Sequence, residues 1–237
     1  MDWTSELADR VAPAASAVPL EGTPLVATLL LAAAAIVIDP LWRILRIAIT
    51  LVHELGHAFV GVLVGRRFTG FVVRADMSGH AVTSGKPRGP GRIVTTWAGY
   101  PVPAIVGAAM VVLAGSGWAA PLLTSALALI TLALVRIRSA LTLLVMLAAL
   151  AGTAALWWWR DDVLQAHVLV AVGVVLIIGA WRHLGAVISA GRPDRSSDPA
   201  VLAQLSWLPR PVWVLTFVLA MGTATAIAAR TLYAGLT

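Results

Sequence analysis

The sequence predicts an all-α membrane protein with about seven transmembrane helices and a short β-hairpin after the second helix. Of its 237 residues, 59% are hydrophobic and only 12% are charged, whereas about a quarter of the residues in soluble domains are charged. The mean hydropathy is +0.90. Apolar stretches of about bilayer length recur along the chain, and most cations lie at their ends. The main solvent of this chain is therefore lipid.

Each predicted span is an apolar stretch bounded by polar or helix-breaking residues. The first stops at Asp39-Pro40, because proline disfavours a helical residue before it. The sixth can continue past Arg182-His183, and we interpret His183 as an ordinary cation at a helix C-terminus. The spans cover about 23–38, 41–64, 93–113, 119–135, 139–159, 163–180 and 211–229.

Three segments are predicted to lie outside the spans. Residues 1–22 are acidic and rich in Pro and Ala, and we expect a mobile tail before a single membrane domain at 23–237. Residues 65–92 hold two β-prone runs, Phe71–Val73 and His80–Thr83, around a polar turn, which predicts a hairpin followed by a Gly/Pro loop. Residues 183–210 form a second polar loop.

The distribution of arginine predicts the orientation, because cytoplasmic loops carry the excess of Lys and Arg. Segments 65–92, 136–138 and 182–210 are basic and are assigned to the cytoplasm, while 115–118 and 160–162 are assigned to the outside. Seven spans then place the N-terminus in the cytoplasm and the C-terminus outside. Arg43 and Arg46 fall in the outer half of the second span, which does not agree with a cytoplasmic excess of Lys and Arg.

The net charge of +6 comes from sixteen Arg and one Lys against eleven acidic residues. Because the arginines lie at the ends of apolar segments, we expect a lipid bilayer rather than nucleic acid as their partner. The preference for Arg over Lys is typical of a GC-rich bacterial genome, so we expect a multi-pass protein of the bacterial inner or plasma membrane. There is no cysteine, so a metal must be held by nitrogen and oxygen ligands.

The second span contains the motif His53-Glu54-Leu55-Gly56-His57. Residues four apart share a helix face, so both imidazoles can reach one ion. Glu54 stands beside them, where a carboxylate can take a proton from water. Ionisable groups inside a membrane are costly and usually functional. The motif therefore predicts a catalytic zinc site with His53 and His57 as ligands and Glu54 as general base.

A His-Glu-x-x-His motif on a membrane helix, followed by a hairpin and further spans, resembles the site-2 proteases, which are intramembrane zinc metalloproteases. The resemblance covers roughly residues 41–208, and Ala58 and Phe59 after the second histidine are similar to the compact bacterial branch without a PDZ domain. It implies hydrolysis of peptide bonds in the transmembrane segments of membrane-anchored substrates. It also implies substrate gating by loops, by the N-terminal tail or by a regulatory membrane partner.

The resemblance further implies an Asp from a later segment as the third zinc ligand. The family's Asp-Gly motif is absent, and the candidates are Asp198 and Asp194. We prefer Asp198, because it precedes an apolar helical run at 201–208 that can return it to the bilayer. Asp198 followed by Pro199 is also a routine helix start, and the two roles can coexist.

The substrate path is predicted from two segments. His80 lies in the hairpin, and Gly99, Tyr100 and Pro103 belong to a Gly/Pro stretch that resembles the family's segment beside the active site. Two other functions use the same residues. A transporter could use the polar cluster as a proton or metal relay, although no inverted repeat is evident, and a catalytically inactive relative could serve as an assembly partner.

Overall fold

The computed structural model describes residues 3–73, 79–189 and 194–236, and most of them are helical. The elements in chain order are α1 (Trp3–Val11), α2 (Gly22–Val37), α3 (Asp39–Leu63), β1 (Arg67–Val73), β2 (Gly79–Ser84), α4 (Pro90–Trp97), α5 (Pro101–Gly115), α6 (Ala119–Leu134), α7 (Ala140–Trp158), α8 (Asp162–Ser189), α9 (Asp198–Leu205) and α10 (Arg210–Ala234). The predicted apolar stretches all coincide with helices.

Among the described residues, four helices are long and apolar enough to cross a membrane, namely α3, α7, α8 and α10. A fifth span is obtained if α4 and α5, which meet at a bend of 60°, are taken as one unit. Helices α2 and α6 are apolar but have only 16 residues each. The structure therefore supports a multi-pass membrane protein. By length and composition, four or five of its helices qualify as spans, fewer than the seven that the sequence predicts.

The predicted N-terminal tail contains helix α1 and a segment that packs on the bundle. The backbone N–H groups of Ala14 and Val18 donate to the carbonyls of Gly117 and Gly115, at 2.8 and 3.1 Å. Val18 and Leu20 are buried. The segment thus lies against the α5–α6 connection, which the arginine distribution assigns to the outside. Because the two segments lie together, they are on the same side of the membrane. The predicted cytoplasmic N-terminus and the predicted outside location of this connection therefore exclude each other.

The centre of the bundle is the contact between α5 and α8. A Cβ at Gly107 would overlap the carbonyl oxygen of Gly173, and a Cβ at Gly173 would lie 2.5 Å from that of Gly107. The two backbones approach so closely because both positions are glycine, as is common between membrane helices. Helix α10 packs on the same core, where the indole of Trp181 donates to Thr225 at 3.0 Å.

The hairpin is antiparallel and is attached to the α6–α7 connection. Phe71 in β1 is fully buried, its N–H donates to Arg136 O at 3.2 Å, and it forms a parallel bridge with Ile137. Gly70 has a φ of +145°, and a Cβ there would lie 2.5 Å from Arg138 Nε. The hairpin is therefore held against the α6–α7 connection through β1. Strand β2 packs on α3, where a Cβ at Gly61 would lie 3.2 Å from Cγ2 of Thr83. The predicted turn lies outside the described residues.

Candidate metal centre

Helix α3 brings His53 and His57 together on one face. Their Nε2 atoms lie 3.2 Å apart, and the rings meet edge to face with centroids 4.8 Å apart. His53 and Glu54 are buried, and His57 is half-buried. The close approach follows from the spacing of four residues, which is about one helical turn.

Asp198 joins this pair from the start of α9. Its Oδ2 atom lies 3.3 Å from Nε2 of His53 and 3.3 Å from Nε2 of His57. Ser197 is the residue before the helix and Pro199 stands in its first turn, which is the arrangement expected for a helix start. Asp198 is thereby directed back towards α3 although it lies far along the chain.

Asp194, the alternative candidate, has a different environment. Its Oδ1 accepts hydrogen bonds from the hydroxyl and the backbone N–H of Ser196, at 2.7 and 2.8 Å. These bonds, the hydroxyl's first, lower the pKa of this exposed carboxyl. Asp194 therefore forms hydrogen bonds within the loop before α9. It does not belong to the cluster of His53, His57 and Asp198.

The three donor atoms fit a divalent cation such as zinc. They form a nearly equilateral triangle with edges of 3.2, 3.3 and 3.3 Å. Tetrahedral zinc with N and O ligands at 2.0–2.1 Å requires ligand–ligand distances of about 3.3–3.4 Å. Oδ2 of Asp198 is buried and has no hydrogen-bond partner among the described residues. Two imidazole nitrogens and a carboxylate oxygen that face one another in this way are best satisfied by a shared cation.

The orientation of His57 is set by its other nitrogen. Nδ1 of His57 lies 2.7 Å from the carbonyl oxygen of Thr95 in α4, to which it can donate its proton. This bond leaves the lone pair on Nε2, which faces His53 and Asp198. A backbone carbonyl in this role is typical of histidines that ligate metals.

The break between α4 and α5 forms one wall of the site. A Cβ at Gly99 would lie 2.5 Å from Nε2 of His57 and 2.6 Å from Oδ2 of Asp198. Only glycine leaves room for the three donor atoms. Tyr100 is buried and packs edge to face on His53, with centroids 4.9 Å apart.

The other residues predicted for the substrate path are placed as follows. Pro103 is buried in the first turn of α5, one turn from Tyr100. His80 belongs to β2 and pairs with Val72 of β1, but its side chain lies outside the described part of the structure. Gly99 and Tyr100 are therefore the members of this set that the structure brings against the histidine pair.

His183 is a neighbour of the site that the sequence interpretation missed. Its ring lies 5.3 Å from that of His53 and 5.7 Å from that of Tyr100. It lines a cavity of about 210 Å³ between α3 and α8, together with Thr50 and Arg46. The signal was available in the sequence, because the apolar pattern resumes after Arg182-His183, and α8 continues to Ser189. His183 is thus an ionisable residue inside the helix, not at its end.

Comparison with known proteins adds one finding. A protein-family model described as Peptidase M50B-like matches residues 26–228. This range covers most of the chain and includes both histidines, Glu54 and Asp198. No curated protein and no solved structure matches the chain significantly.

Proposed function

Because the chain belongs to the Peptidase M50B-like family, we propose that it is an intramembrane zinc metalloprotease that cuts transmembrane segments of membrane-anchored proteins. The observation that carries this proposal is the triangle of His53, His57 and Asp198, with the buried Glu54 in the same helical turn. Metal-assisted peptide hydrolysis needs a cation site and a nearby base. Helix α3 and the short helix α9 carry the residues proposed for both.

His53, His57 and Asp198 are the proposed zinc ligands. Zinc supplies Lewis-acid chemistry, in that it polarises a peptide carbonyl and lowers the pKa of water towards 7. Glu54 accepts a proton from the attacking water and passes it to the amine nitrogen as the C–N bond breaks. Thr95 holds His57 in the ligating orientation through its carbonyl. Gly99 keeps the space between the donors free of any side chain.

The hairpin is the proposed docking site for the substrate backbone. A helix that unwinds for cleavage must find new partners for its backbone groups, since lipid offers none. Strand addition to a sheet edge provides them. Strand β1 has β2 on one edge and Ile137 on the other. We therefore assign the substrate to the outer edge of β2, with His80, Gly99 and Tyr100 along its path.

The proposed setting is the inner membrane of a bacterium, where the substrates are membrane-anchored regulators. The described residues between the apolar helices form only a two-stranded hairpin and short helices. Gating by a regulatory membrane partner or by the loops is therefore part of the proposal. Its two rivals, a metal or proton relay and an inactive assembly partner, predict no proteolysis.

Replacement of Glu54 by Gln tests the proposed function. The amide is nearly isosteric but cannot accept the proton, so we expect peptide cleavage to be lost while zinc stays bound. The measurement compares new N-termini in membranes that express the wild type or Glu54→Gln, with bound zinc quantified by elemental analysis of the purified proteins. Identical sets of new N-termini in the two samples would contradict the proposal.

A further inference from the structure

Helix α3, here called the motif helix, and helix α8 enclose a cavity of about 210 Å³ beside the metal centre. One wall of the cavity is apolar, since Trp42 and Ile49 of the motif helix pack in one cluster with Val175 and Leu176 of α8. A Cβ at Gly179 would overlap Cδ1 of Ile49, so the two helices touch closely at this point. The cavity is therefore built on a close contact between two long helices and not on a loop.

The other wall of the cavity is polar and basic. Arg46 and Thr50 of the motif helix and Arg182 and His183 of α8 form it. Of the described residues that line the cavity, none is acidic. Within the described part of the chain, neither guanidinium lies within 4.0 Å of a carboxylate oxygen. This wall therefore presents two positive charges and no negative one.

The guanidinium of Arg182 is held in place from two sides. Its Nη1 atom donates to the carbonyl oxygen of Ile36 at the end of α2, at 3.0 Å. The same group lies 3.8 Å from the centroid of the Trp42 ring, which is a cation–π contact. Neither partner carries a negative charge, and the planar guanidinium keeps further N–H donors for a carboxylate. Arg182 is therefore positioned in advance to bind an anion.

The cavity adjoins the metal centre through two of its lining residues. The ring centroid of His183 lies 5.3 Å from that of His53. Thr50 stands four residues before Glu54, so these two side chains share one face of the motif helix. A peptide held at the donor atoms of the metal centre can therefore place a neighbouring side chain in the cavity.

The cavity is accessible from outside the bundle and has room for one such side chain. Arg46 and Arg182 are exposed, whereas Trp42 and Thr50 are buried. The volume of about 210 Å³ is several times the share of about 30 Å³ that a water molecule occupies in the liquid. A carboxylate side chain and some water therefore fit together.

We propose that this cavity, here called the arginine cavity, binds an aspartate or glutamate side chain of the substrate's transmembrane segment, close to the bond that is cut. The proposal rests on the proposed function and names a substrate class, namely membrane-anchored proteins with an acidic residue beside the cleavage site. An ionised carboxylate is costly in hydrocarbon, and a guanidinium can bind it through two parallel N–H···O bonds. The carboxylate in turn balances the charge of Arg46 and Arg182, so each partner offsets the cost of the other in the membrane.

The phosphate of an anionic lipid is the alternative ligand, because basic pockets between membrane helices also bind lipid headgroups. The contact of His183 with His53 favours the substrate. A group in the arginine cavity lies beside the residues that are proposed to hold the scissile bond, where a substrate side chain is always near.

Binding of synthetic transmembrane peptides to the Glu54→Gln variant tests the arginine cavity without the need for cleavage. Each peptide has about 20 apolar residues, a central Gly-Gly pair, a fluorescent label and one Glu at a central position, and a matched peptide carries Gln there. Fluorescence anisotropy in detergent, above neutral pH, measures the affinity. We expect the best Glu peptide to bind about 10-fold more tightly than its Gln counterpart, because hydrogen bonds between charged groups are the strong ones.

Replacement of Arg46 by Gln in the same background should remove most of this preference. Arg46 is the better site for the test, because Arg182 also holds α2 through Ile36. Arg46→Glu should reverse the preference, so that a peptide with Lys binds more tightly than the peptide with Glu. Arg230→Gln, at an exposed position of α10, is the matched control and should keep the preference for Glu.

Equal affinity for the Glu and Gln peptides at every position would overturn the inference, and so would a Glu preference that survives both substitutions of Arg46. Binding of phosphatidylglycerol that depends on Arg46, without any preference for Glu peptides, would overturn it in favour of a lipid headgroup. Cleavage of the same peptides by the wild type is measured separately. Absence of cleavage together with a retained Glu preference would contradict the proposed function and support the arginine cavity as a carboxylate site.

Discussion

At the residue scale, the site depends on the short distances of 3.2 and 3.3 Å between three donor atoms, which belong to His53, His57 and Asp198. Two neutral imidazoles can coordinate one cation only when both ε-nitrogens are unprotonated, and the bond from His57 Nδ1 to the carbonyl of Thr95 favours that tautomer. Asp198 contributes the negative charge that offsets part of the charge of a divalent ion. A small change at any of these residues should therefore affect metal affinity before it affects the fold.

Replacement of Asp198 by Asn removes this charge and leaves a weaker ligand. We expect zinc affinity to fall by more than about 100-fold, since the loss of even an outer hydrogen-bond partner costs about 10–100-fold. Competition with a zinc chelator measures the change. Asp194→Asn is the matched control and should retain the zinc affinity of the wild type. A loss of affinity in this control and not in Asp198→Asn would show that Asp194, and not Asp198, is the third ligand.

Replacement of Gly99 by Ala places a methyl group among the donors, 2.5–2.6 Å from the nearest atoms of His57, Asp198 and His53. Because these atoms belong to ligands that cannot separate without leaving the ion, we expect zinc binding to be lost. Gly152→Ala, which meets nothing within 4 Å, is the control. Elemental analysis of both purified variants checks the result, and full zinc occupancy in Gly99→Ala would show that the donors lie elsewhere.

At the element scale, short helices and a helix break position the site. Helix α4 ends at Trp97 and α5 begins at Pro101, which leaves Ala98, Gly99 and Tyr100 at the bend. Helix α9 has only 8 residues and carries Asp198 in its first turn. These elements are held by the long helices behind them, above all by the close contact of α5 with α8. A substitution that disrupts the α5–α8 contact should therefore also displace the residues of the site.

Replacement of Gly107 by Ala introduces a methyl group into the α5–α8 contact, where it would overlap Gly173 O. We expect the free energy of unfolding to fall by about 1–3 kcal/mol, as is usual for overpacked cores. Unfolding in mixed detergent, followed by tryptophan fluorescence, measures it. Gly222→Ala, with nothing within 4 Å of the new Cβ, should gain roughly 0.5–1 kcal/mol. Equal effects of the two substitutions would mean that α5 and α8 do not touch as described.

At the scale of the whole molecule, the candidate metal centre joins three distant segments, since it takes residues from α3, from the α4–α5 region and from α9. A ligand that binds only the folded state stabilises it by about 2.7 kcal/mol at 100 times its Kd. A zinc ion bound at this site would therefore also hold the motif helix against the helices that follow it.

Removal of zinc should lower the thermal stability of the wild-type protein. At a free zinc concentration of about 100 times the Kd, we expect chelation to lower the Tm by about 5–10 °C, the range for a domain of this size. Differential scanning fluorimetry in detergent measures the shift. The double variant His53→Ala, His57→Ala should show no response to the chelator, and a response of equal size in this variant would place the stabilising ion elsewhere.

The sequence by itself determined the apolar helices, the hairpin strands, the family and the pairing of His53 with His57. Helix α1, in the predicted tail, was missed. Each of these depends on local information: apolar stretch length, β-prone runs around a turn, and a spacing of four residues that shares one helix face. The preference for Asp198 over Asp194 also came from a local pattern, a helix start followed by an apolar run. A local pattern shows what an element is and which of its faces is polar.

Only the tertiary structure decided which of these faces meet. It brought Asp198, Gly99 and His183 to the histidine pair, and it put the N-terminal segment beside the α5–α6 connection. The physical reason is that helix packing sums many weak contacts between residues far apart in the chain, such as Gly107 with Gly173, and no single segment encodes that sum.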